Sequence, residues 1–109
     1  MKKNDKKREH QIIDALTRVC EAAKYDISGF AWLTHSVNYQ HFPGSLTVTC
    51  VFTDKLSEQQ ADALALKQRV IRALLKDNIA IKAAQISLDN EESCLQQHNG
   101  NWSQRLRPH

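Results

Sequence analysis

The stretch Ser45-Leu46-Thr47-Val48-Thr49-Cys50-Val51-Phe52-Thr53 decides the fold. Leu46, Val48, Cys50 and Phe52 occupy alternate positions, with Ser45, Thr47, Thr49, Val51 and Thr53 between them. Successive side chains of an extended chain point to opposite sides, so the pattern marks a strand with a buried face and a mostly polar one. Pro43 and Gly44 just ahead of it mark a turn. Before the turn, Phe30 to Tyr39 reads as a second strand, and the short connection makes the pair antiparallel. Matching apolar side chains across the pair puts Leu33, Val37 and Tyr39 opposite Phe52, Val48 and Leu46, and His35 beside Cys50.

The flanking segments carry helical periodicity. From about Lys7 to Lys24, the residues Ile12, Ile13, Leu16, Val19, Cys20 and Ala23 form one apolar stripe. Asn4 or Asp5 can cap its start, and Asp26, Ser28 and Gly29 end it. Ser57 followed by Gln60 has the form of a capping box, opening a helix that runs to about Lys76 or Asp77. Its apolar face is Leu64, Leu66, Val70, Ile71, Ala73, Leu74 and Leu75, and Arg69, Arg72 and Lys76 share the polar side. Ile81 to Asp89 reads as a third strand with Ala84, Ile86 and Leu88 on one face. The order helix-strand-strand-helix-strand predicts an α+β fold with two helices packed on one face of a three-stranded sheet. Parallel pairing of the third strand with the first would require a crossover through the second helix.

A chain of 109 residues is expected to form a single domain, 1–109. Its core is expected over about 7–92, with a basic N-terminal extension 1–6 and a loose basic tail 93–109; a short helix near Ser93–Gln97 is compatible with the pattern. No apolar run approaches the ~18 residues that span a bilayer, and the N-terminal cations lack the apolar segment of a secretory signal. Cys20, Cys50 and Cys94 are odd in number and far apart, which points to free thiols in a reducing cytoplasm.

Charge is unevenly distributed. In the first ten residues Lys2, Lys3, Lys6, Lys7 and Arg8 outweigh Asp5 and Glu9 by three, and Arg105 and Arg107 add two near the other end. The net charge is +3, so the middle of the chain carries −2. Cations gathered at the ends of a mildly acidic domain suit a polyanion, most often nucleic acid. Arg69, Arg72 and Lys76 could extend such a surface, although cations near a helix C-terminus also interact favourably with its dipole.

Catalytic patterns are missing. The three glycines form no phosphate loop, and there is neither a nucleophile elbow nor a metalloprotease motif. His35, Cys50 and Cys20 could approach one another, but without a closely spaced ligand pair a packed core is the ordinary outcome. No catalytic residue, metal or cofactor is therefore assigned. Trp32, Thr34, Ser36, Asn38 and Gln40 should share the outer sheet face with Thr47, Thr49 and Thr53. Such a face suits a protein partner, and Trp32 could stack or dock there. Trp102, followed by Arg105, Leu106 and Arg107, either docks on the domain or meets a partner.

The run Phe30-Ala31-Trp32-Leu33-Thr34-His35-Ser36-Val37-Asn38-Tyr39, with Phe42-Pro43 and Leu46 to Phe52, resembles a family of short uncharacterised proteobacterial proteins. Some of its members carry the label "Fis-family transcriptional regulator". The likeness covers most of the chain but not the Fis protein itself, which is helical and ends in a helix-turn-helix. The label implies DNA binding; the central Thr-rich strands point away from that fold. The element order is also similar to the KH-like fold of ribosome-binding factor A, without the two-glycine clamp of KH domains. The combined expectation is a small non-enzymatic module binding nucleic acid, RNA favoured or ribosome-associated, through Lys2, Lys3, Lys6, Lys7, Arg8, Arg69, Arg72, Lys76, Arg105 and Arg107. The alternative is a protein-interaction or dimerisation module built on the polar sheet face.

Overall fold

A computed structural model describes residues 2–107. Met1, Pro108 and His109, at the ends of the expected extension and tail, lie outside the described residues. The elements are α1 (Lys3–Asp26), β1 (Phe30–Ser36), β2 (Thr47–Phe52), α2 (Lys55–Gln60), α3 (Ala63–Leu75), β3 (Ile86–Asn90), α4 (Glu91–His98) and α5 (Trp102–Arg105). The expected α+β order is present, with α1 and α3 packed together on one face of the sheet.

Strand β2 is central. It pairs antiparallel with β1 and parallel with β3, in the order β1-β2-β3. The crossover through α2 and α3 therefore returns the chain beside β2, leaving β1 as an edge. Leu46, Val48, Cys50 and Phe52 are fully buried against Ile12, Leu16, Leu66, Val70 and Leu74. The β1–β2 register is offset by two residues from the sequence expectation: Leu33 lies opposite Cys50 and His35 opposite Val48. An offset of two preserves the faces, so the apolar pattern could not detect it. The register shifts by one more residue at an irregularity between Phe30 and Trp32, so that Phe30 pairs with Phe52. Strand β1 also ends at Ser36, and Asn38 caps the following turn by accepting from the Gln40 N–H at 3.0 Å. Asn38 and Gln40 thus leave the sheet face where they were expected.

The helix expected over 57–77 is two helices. The Asp54 carboxylate caps α2 by accepting from the Ser57 N–H at 2.7 Å, and Asp62 caps α3 by accepting from the Ala65 N–H at 3.0 Å. Two caps eight residues apart define two starts, and the extended backbone at Ala61 breaks the helix between them. Gly29 fixes the approach of β1: its φ is +79°, and a Cβ there would stand 2.1 Å from the Ser57 hydroxyl oxygen.

The extension and tail are more ordered than expected. Helix α1 begins at Lys3, with no side-chain cap and Asp5 as the one acid in its first turn. Beyond β3 the chain forms α4 and α5. Asn90 is buried and caps α4, accepting from the Ser93 N–H at 2.6 Å while its side-chain N–H₂ donates to Glu58 of α2 at 2.8 Å. Asn99 in a left-handed conformation then ends α4. Among the described residues, no helix is long and apolar enough to cross a membrane.

The burial of β2 fixes one expected outcome. Val48→Ala should lower stability by about 1–3 kcal/mol, and Thr49→Ala, on the other face, by clearly less. Urea denaturation of both variants measures the difference; equal losses would mean that the faces are misassigned.

Candidate nucleic-acid interface

Two faces of the sheet use the basic residues differently. On the outer face, Trp32 pairs with Val51, Thr34 with Thr49 and Ser36 with Thr47, while Ser87 and Asp89 of β3 continue the rows. Val51 is fully buried although it points away from the main core. The chain end packs beside it, on the β1 neighbour of Val51: the rings of Trp102 and Trp32 meet edge-to-face at 4.8 Å between centroids. Arg105 locks this contact. Its Nε donates to one Asp89 oxygen at 2.6 Å and Nη2 to the other at 2.7 Å, and Nη1 donates to the Gln97 side-chain oxygen at 2.8 Å. The Asp89 hydrogen bonds hold the guanidinium more firmly in its charged form, against a smaller opposing effect of burial.

Arg105 is thus committed to the fold, and the tail from Cys94 to Arg105 is docked where looseness was expected. The missed signal was Val51, an apolar side chain on a polar face, which needs cover. Arg107 is exposed beside a cleft of about 390 Å³ that is lined largely by Thr34, Ser36, Thr47, Thr49 and Ser103.

The inner face carries the other cations. Helices α1 and α3 close over a groove of about 230 Å³ whose floor is Ala15, Val19, Ala22 and Ala73. Arg18, Arg69 and Lys76 form its rim. At 100° per residue, Lys3 and Lys7 fall on the same side of α1 as Arg18. Arg72 lies between Arg69 and Lys76 on α3 and is exposed. Asp26 takes an ion pair from Arg69 at 3.1 Å; among the described residues, Lys3, Lys7, Arg18, Arg72 and Lys76 have no such partner. Arg18 donates to the backbone oxygen of Asp14, whose own carboxylate borders the stripe. Arg18 was not anticipated, although its spacing from Lys7, three helical turns, was available in the sequence.

The remaining N-terminal cations diverge. Arg8 lies over the Phe42 ring at 4.7 Å, beside an open concavity lined by Lys2, Asn4, Asp5 and Tyr39 among others. Lys2, the residue before α1, and Lys6 are exposed. The ten expected cations therefore do not share one surface: Lys3, Lys7, Arg69, Arg72 and Lys76 lie on the helical face, Arg105 and Arg107 behind the sheet, and Lys2, Lys6 and Arg8 in neither set.

His35 and Cys50 do not meet as partners. His35 Nε2 lies 2.7 Å from Glu9 of α1, and the Tyr39 hydroxyl donates to the other Glu9 oxygen. Cys50 is buried, and that burial, with a smaller contribution from nearby Cys20, pushes its thiol up to about 12. Such a thiol stays protonated at neutral pH. The Tyr39 hydrogen bond holds Glu9 below the ordinary 4.5; burial opposes this, and the His35 contact and the His35 and His10 charges reinforce it. Among the described residues, no group of three His, Cys, Asp or Glu side chains is placed to hold a metal ion.

No family model, curated protein or solved structure matches the chain.

Two outcomes follow from these contacts. Arg105→Ala should release α5, shift tryptophan emission to the red and cost about 1–3 kcal/mol, because Asp89 keeps its charge without its partner. Unchanged emission would show that the ring contact holds without the ion pair. A Glu9 carboxylate depressed in the folded state contributes stability that is complete above its ordinary 4.5 and is lost as pH falls through its lower folded value. Glu9→Gln should therefore unfold at lower urea than the parent near neutral pH, with the gap closing as the solution is acidified below 4.5.

Proposed function

We propose that the protein is a small non-enzymatic nucleic-acid-binding module, RNA favoured, that works through the α1–α3 face. The observation that carries this reading is the groove rimmed by Arg18, Arg69 and Lys76, flanked by Lys3, Lys7 and Arg72 and floored by small side chains. Small residues bring the two helices close, so cations from both reach the same polyanion. A row of cations neutralises phosphates and releases their counterions, which gives affinity without base recognition. The outer face is the weaker candidate for a protein partner, because Trp102 of α5 already packs on Trp32.

Phosphate contacts of this kind give dissociation constants of ~10⁻⁴–10⁻⁶ M at physiological salt, falling steeply as salt rises. Replacing Arg69, Arg72 and Lys76 together by Gln should weaken RNA binding across unrelated sequences and flatten the salt dependence. The measurement is a titration of labelled RNA and duplex DNA at low and physiological salt, with circular dichroism confirming the fold. Absence of binding at low salt, or binding indifferent to salt, overturns the proposal and favours the protein-interaction module.

A further inference from the structure

Resting on that reading, we infer that the α1–α3 face takes single-stranded RNA in preference to a duplex, with Tyr25 as the platform on which one base stacks. Tyr25 is 92% exposed, more than any other large apolar side chain of the described structure. It makes no hydrogen bond, ring contact or core contact there. Folding alone gives no reason for an aromatic ring at that site.

Its position supplies the reason. Arg18, Ala22 and Tyr25 follow one another at four and three residues along α1, so they share one side of the helix. Arg18 and Ala22 line the basic groove, and Tyr25 continues the row by one turn. At 1.5 Å per residue the ring lies about 10 Å along the axis from the Arg18 position. The next residue, Asp26, holds Arg69 of α3 at 3.1 Å, which keeps the Tyr25 end of α1 against the basic stripe of α3. A cationic groove ending in an exposed ring is the arrangement single-strand binders use: cations follow the backbone, and a ring accepts any unstacked base. In a duplex the bases are stacked on one another, and their faces cannot reach Tyr25.

The test uses the full chain and the Tyr25→Ala and Tyr25→Phe variants, titrated by fluorescence anisotropy. The probes are a labelled oligouridylate of about a dozen nucleotides and an RNA duplex of the same length. Because Tyr25 is outside the core, both variants should fold as the parent does. Tyr25→Ala should weaken single-strand binding about 5–10-fold, leave duplex binding within about twofold and keep the salt slope unchanged, since stacking releases no counterions. Tyr25→Phe should retain the single-strand affinity. An equal loss on both probes, or no loss on the single strand, overturns the stacking role while leaving phosphate binding in place. Failure of the parent protein to bind either probe removes both.

Discussion

Everything in this molecule is arranged around a middle strand that buries apolar side chains on both of its sides. Val48, Cys50 and Phe52 point into the helical layer, and Val51 points the other way and is equally buried. A three-stranded sheet with a single covered face would leave Val51 and its neighbour Trp32 in solvent. Helices α1 and α3 answer the first demand. On the second side lies α5, whose Trp102 closes over Trp32 and whose Arg105 is tethered to Asp89. Asn90 is the joint between these parts, since one side chain caps α4 and holds α2.

This double burial also sorts the cations. A guanidinium needed to fasten the tail is unavailable to a polyanion, so Arg105 serves folding while Arg107 beside it stays in solvent. The helical layer has no equivalent need. Its core is filled by Ile12, Leu16, Leu66 and Val70, and the lysines and arginines along the seam stabilise little by themselves. What they provide is a field, concentrated where small side chains let α1 and α3 approach.

The strand pattern of β2, the long periodic α1 and the order of the elements were legible because each is a local regularity. The β1–β2 register was not, because an offset of two keeps every side chain on its face and leaves the apolar pattern unchanged. The break between α2 and α3 was hidden by continuous helical composition, with Asp54 and Asp62 as the overlooked caps. The tail was misread because its contacts are distant in sequence: Arg105 and Trp102 acquire their roles only once Asp89 and Trp32 are brought side by side. For the candidate site, the stripe on α3 was visible in the sequence. On α1, Lys3 and Lys7 were visible too, but Arg18 and Tyr25 gain meaning only when the two helices are seen to be neighbours.

The uncapped beginning of α1 makes its length sensitive to the surrounding electrolyte. Lys3, Lys6 and Lys7 stand at the positive end of the helix dipole, with Asp5 alone of opposite sign in the first turn. Each lysine there opposes the dipole and repels the others. In dilute buffer these terms favour unwinding of the first turns; at ~0.1 M salt the Debye length shrinks to about 10 Å and much of the penalty is screened. The start of the helix is therefore a salt-dependent boundary, held at Lys3 as ionic strength rises and retreating as it falls.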